Sequence, residues 1–168
     1  MPATEARTLA HNIVANKFYG NPPVQLILEE HARDSTGNEV LSWAAYASAF
    51  GRYPRHASIV TFPFKQARFE FTAMLLGLAD KITVVGVADP PPGPRLDAAR
   101  VGEARKLQAI RQDPWLLSPD WSHVIHDRNP RATPIPIFAD KEMNAFLAFI
   151  YGRGEPAPPP SWRWSAVG

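Results

Sequence analysis

The chain has 168 residues, with 18 Pro, 10 Gly, 5 Trp and no Cys, and its 18 Lys+Arg against 16 Asp+Glu leave a formal charge of +2. That length suits one domain able to build its own hydrophobic core, and the missing Cys excludes a disulfide framework, a thiolate zinc site, an iron–sulfur cluster and a cysteine nucleophile. The sequence pI of about 9.1 overstates the basicity; a nearly balanced chain is poorly suited to strong non-specific DNA binding, which needs many phosphate contacts.

Proline is the outlier, at about twice its usual frequency. It clusters at Pro22 and Pro23, at 90–94, at 130–136 and at 156–160, without a period, so collagen-like and solenoid readings fail. The N-terminal Met1-Pro2-Ala3-Thr4-Glu5-Ala6-Arg7 lacks a charged-then-apolar leader pattern, and no apolar run approaches the ~18 residues that span a bilayer. The expectation is a cytoplasmic protein without membrane contact.

In chain order, residues 3–18 read as a helix, with Leu9, Ile13, Val14 and Phe18 on one face, stopped by Gly20-Asn21-Pro22-Pro23. Residues 24–33 suit a short helix, with a strand at 24–28 as the alternative. Thr36 and Glu39 have the spacing of a capping box, which predicts a helix carrying Val40, Trp43, Ala44, Ala47 and Phe50 on one face and ending at Gly51. Residues 57–62 are β-branched and apolar and read as a strand closed by Pro63. In 67–75, Phe69, Phe71, Ala73 and Leu75 alternate with Arg68, Glu70 and Thr72, which predicts a strand, although Ala73, Met74, Leu75 and Leu76 are good helix formers. Residues 82–88 form a Val-rich strand, and Gly77-Leu78-Ala79-Asp80-Lys81 supplies a hairpin connection.

The Pro-rich 89–94 is a stiff connector, followed by a helix over 96–112 with Leu96, Ala99, Leu107 and Ile110 on one face and stopped by Asp113-Pro114. Short strands are expected at 123–126 and 135–138. Asp140 caps a last helix with Met143, Phe146, Leu147 and Ile150 as its buried stripe. The expected fold is therefore α+β: a small three-stranded antiparallel sheet at about 57–88, packed by N- and C-terminal helices, with a globular domain over 1–152 and a Pro/Trp-rich tail over 153–168.

Three sets of residues carry functional chemistry. In the tail, Trp162, Arg163 and Trp164 are residue types that dominate interface hot spots, and the Pro-rich run before them loses less entropy on docking. Arg52, Tyr53, Arg55, Lys65 and Arg68 flank the first strand and suggest a stacking and phosphate-contacting patch for single-stranded nucleic acid. Finally, Asp120-Trp121-Ser122-His123-Val124-Ile125-His126-Asp127 gathers two His and two Asp. His123, His126 and Asp127 are types that serve a metal or acid–base site. In an extended segment, however, residues three apart point to opposite faces. There is no Gly-x-Ser-x-Gly elbow, phosphate loop or dinucleotide fingerprint.

The sequence is accordingly read as a non-enzymatic protein-binding chain, an accessory, inhibitor or assembly/adaptor component with a protein partner and no cofactor. A small nucleic-acid-binding protein is the alternative, and a metal-dependent hydrolase or nuclease centred on His123, His126 and Asp127 is the third reading.

Overall fold

A computed structural model describes residues 4–118 and 134–151. Among them lie five α-helices and two strands: α1 (Glu5–Ala15), α2 (Ser35–Phe50), β1 (Ala57–Thr61), α3 (Gln66–Leu75), β2 (Ile82–Gly86), α4 (Pro94–Gln112) and α5 (Lys141–Ile150), with single 3-10 turns at Lys17–Gly20 and Pro63–Lys65.

The sheet is parallel, not antiparallel. β1 and β2 pair in register from Ala57 with Ile82 to Thr61 with Gly86, and α3 is the crossover between them. The expected strand at 67–75 is this helix. Its alternating Phe69, Phe71, Ala73 and Leu75 mask a helical stripe in which Thr72, Ala73 and Leu76 are buried. Gln66 donates to Glu70 at 2.7 Å, one helical turn on. The end of α3 explains why Gly77 does not begin a hairpin. Gly77 takes a left-handed φ of 66°, its N–H bonds to the Met74 carbonyl, and the Leu78 N–H bonds to the Ala73 carbonyl at 2.8 Å. Those paired bonds, with glycine just past the helix, are a Schellman close. α3 lies against β2 and carries the chain back to the end of the sheet where β1 began, the crossover that parallel neighbours require.

Other elements also differ from expectation. α2 is capped by Asp34, whose carboxylate accepts from the Gly37 N–H at 2.6 Å. Thr36 and Glu39 lie inside the helix and are buried. Residues 22–33 form neither helix nor strand. The Glu29 carboxylate accepts the N–H groups of His31 and Ala32 at 2.6 and 3.0 Å, donors that a continuing helix would send to backbone carbonyls. Nor is there a strand at 135–138, because the Asn144 side chain takes both the N–H and the carbonyl of Phe138, at 2.8 and 2.7 Å. The expected strand at 123–126 and the tail at 153–168 lie outside the described residues.

The core is built by α2, α3, α5 and β2. Val40, Leu41, Leu76, Leu78, Met143 and Phe146 are fully buried there, and Trp115 meets Phe146 edge-on at a centroid distance of 5.4 Å. α5 presents the stripe read from the sequence, and Asp140 caps it by accepting from the Glu142 and Met143 N–H groups. α1 is different: it buries no residue. It runs into four successive left-handed residues, Lys17, Phe18, Tyr19 and Gly20, with φ from 49° to 81°. For each of the three with a Cβ, that conformation costs about 1–2 kcal/mol.

Candidate interaction surface

In a parallel pair, side chains alternate between two faces. One face, bearing Ala57, Ile59, Ile82 and Val84, packs on the core. The other bears Ser58, Val60, Thr83 and Val85, and the chain beyond each strand continues it with Phe62 and Val87. All six are exposed. Val60 is 67% exposed, and Phe62, Val85 and Val87 lie between 39% and 46%. Parallel sheets normally have both faces covered; among the described residues this one has a layer on one side and both outer edges unpaired.

The open face is flanked by polar groups at either end. At the start of the strands, His56 Nε2 lies 2.9 Å from Thr83 Oγ1. At the other end, the Phe62 and Phe64 rings stack with centroids 5.5 Å apart, and the Lys65 ammonium lies over both, 5.6 and 5.9 Å from the centroids. Gly86 lets this turn sit against β2: a Cβ there would come within 2.9 Å of both Pro63 Cα and Gln66 Oε1.

Beyond the carboxyl ends of the strands lies a groove of about 420 Å³ between Pro63, Phe64, Arg68, Asp89, Arg100 and Glu103, among others. Its charges pair across it. Arg68 bonds Glu103, with side chains only 12% and 5% exposed, and Arg100 bonds Asp89 at 2.7 Å. Deeper, Glu39 on α2 meets the Thr72 hydroxyl on α3. Burial pushes the Glu39 carboxyl up to about 8, against the opposing pull of Thr72 and Arg68.

The sequence-derived patch residues are not brought together. Arg52, Tyr53 and Arg55 precede β1, while Lys65 and Arg68 follow it, so about 16 Å of strand separates the two groups. Arg52 and Arg55 are exposed. Tyr53 packs on the core and donates its hydroxyl to Asp140 at 2.7 Å. Arg68 is engaged by Glu103. Trp162, Arg163 and Trp164 lie outside the described residues, as do His123, His126 and Asp127. Among the described residues, no three His, Asp or Glu side chains cluster as metal ligands, and no helix is long and apolar enough to cross a membrane.

The open face escaped sequence reasoning, although its signal was present in the alternation Ser58, Val60, Phe62 and Thr83, Val85, Val87. Asp89, Arg100 and Glu103 left no such pattern, because their proximity depends on the crossover. Comparison with protein families, with curated proteins and with solved structures yields no match.

Proposed function

We propose that this chain is a non-enzymatic protein-binding component, an accessory, inhibitor or assembly/adaptor protein, and that its contact surface is the open face of β1 and β2. One observation carries the reading: an apolar strip of Val60, Phe62, Val85 and Val87 stands in solvent on a parallel pair whose other face is packed. Contiguous apolar surface of this kind marks interaction sites on soluble domains. A flat strip rimmed by stacked aromatics and a lysine suits an apolar helix or sheet face better than a small molecule. Trp162, Arg163 and Trp164 form a second proposed contact, acting with the face.

The test is size fractionation of the tagged chain from its native source. The wild type runs in a complex larger than the free chain. Val60→Asp with Val85→Asp, both at exposed positions, shifts it to the free-chain size, whereas Arg105→Asp on α4 does not. A wild type at the free-chain size, or a double variant retained in the complex, overturns the proposal.

A further inference from the structure

Among the described residues, the N-terminal stretch that is least covered has the shape that the open sheet lacks. On α1, Ala6, Leu9, Ala10, Ile13 and Val14 fall at i, i+3, i+4, i+7 and i+8, a complete apolar stripe. None of it is fully buried: Ala6, Ala10 and Ile13 are half-buried, and Leu9 and Val14 are more than half exposed. Farther on, residues 24–28, Val-Gln-Leu-Ile-Leu, are all exposed and make no backbone hydrogen bond among the described residues. They carry the β-branched and apolar character of a strand with no sheet to join.

The dimensions agree. α1 has eleven residues, about 16 Å of helix. β1 and β2 have five residues each, about 16 Å of strand, and the unpaired stretch is also five residues long. From Phe18 through Leu28 there is no charge, which matches the uncharged strip of Val60, Phe62, Val85 and Val87. When the added strand runs antiparallel to β1, Glu29 and Glu30 come beside the basic Arg52 and Arg55 that precede β1, with Glu30 exchanging its single-chain partner Arg7.

We infer that two copies of this chain exchange N-terminal arms, α1 of each lying across the open face of the other and residues 24–28 of each pairing with an edge of the other's sheet. This rests on the reading that the open face is the contact surface, and names a second copy as its occupant. The exchange gives the sheet a third strand and a second covering layer, the arrangement that parallel sheets ordinarily require. It is isologous: each copy gives and receives the same elements, so the assembly closes at two. Because α1 and residues 24–28 both pass to the other copy, the chain crosses between copies over residues 29–33, which form neither helix nor strand, and the left-handed turn at Lys17–Gly20 joins the two exchanged pieces. In the single chain α1 is tied to the end of the 24–30 stretch by Arg7, whose guanidinium bonds Glu30 at 2.8 Å, and by Thr4, which also donates to Glu30.

The test is sedimentation equilibrium of the purified full-length chain, alone and as two variants: Leu9→Asp with Leu26→Asp on the arm, and Val60→Asp with Val85→Asp on the face. All four positions are exposed, and circular dichroism with a thermal melt confirms that each variant folds. The wild type has the mass of two chains, and each variant alone has the mass of one. An equimolar mixture of the two variants returns to the mass of two, because the intact arm of one meets the intact face of the other. A wild type with the mass of one chain overturns the exchange, as does an arm variant that still dimerises or a mixture that stays monomeric. A monomeric pure chain that still enters a larger complex in its native source, lost with Val60→Asp and Val85→Asp, removes the exchange and leaves the proposed contact surface intact.

Discussion

Replacing Glu39 by Gln makes the chain more stable at neutral and alkaline pH. Glu39 is 4% exposed; one carboxyl oxygen meets Thr72, and the other is buried without a partner. Arg68 and Asp34 are the charged groups whose fields reach it, with opposite signs, and desolvation outweighs both, raising its pKa from 4.5 to about 8. A carboxyl raised on folding favours the proton-bound native state. Its stabilisation is therefore complete below pH 4.5 and is lost as the pH rises through 8. At ~1.4 kcal/mol per pH unit, the loss reaches on the order of 3 kcal/mol at pH 7 and 5 kcal/mol at pH 9. Gln keeps the shape and still reaches Thr72, but never ionises. Urea unfolding of both proteins at pH 4.5, 7 and 9 reads the difference directly, since other titrating groups are common to both. The variant matches the wild type within about 1 kcal/mol at pH 4.5 and exceeds it increasingly at pH 7 and 9. A difference that stays constant across that range would refute the reasoning, because Glu39 would then titrate as an exposed carboxyl does.

Arg68→Ala leaves the buried Glu103 with only the longer Lys106 contact at 3.8 Å among its ion pairs and costs about 2–4 kcal/mol, whereas Arg68→Met with Glu103→Leu costs much less; chemical denaturation of the single and double variants checks the order. Gly77→Ala forces a Cβ into the left-handed position that closes α3 and costs about 1 kcal/mol or more, seen as a lowered Tm. Phe146→Ala empties the centre of the core beneath Trp115 and costs about 3–5 kcal/mol; a loss below 1 kcal/mol in urea unfolding would contradict the placement of α5.

The helices α2, α4 and α5 were legible because their apolar spacing admits one period and Asp140, Gly51 and Pro114 punctuate it. Both strands were legible from their β-branched runs. α3 was not: Phe69, Phe71, Ala73 and Leu75 satisfy a period of two, while Thr72, Ala73 and Leu76 satisfy a helical one, and only the Gly77 close decides between them. That one element turned a meander into a crossover and reversed the direction of a strand. Residues 24–33 defeated the reading for another reason. Ala32 packs on the core, but the apolar residues of 24–28 stand exposed among the described residues. The open face was hidden similarly, since both faces of 57–62 and 82–88 carry apolar residues, and which is covered depends on how many layers the fold supplies. Glu39 read as a capping residue because its burial depends on α3 being a helix.

The most direct test of the account is a photo-crosslinking residue placed at Val60 or Val85 in the full-length chain, expressed in its native source, with Arg105 as the exposed control. Discrete covalent adducts are expected from the two sheet positions and none from the control, with loss of the Val60 adducts when Val85→Asp is added. Adducts equally sparse at all three positions would contradict the claim that the open face of β1 and β2 is where this protein meets its partners.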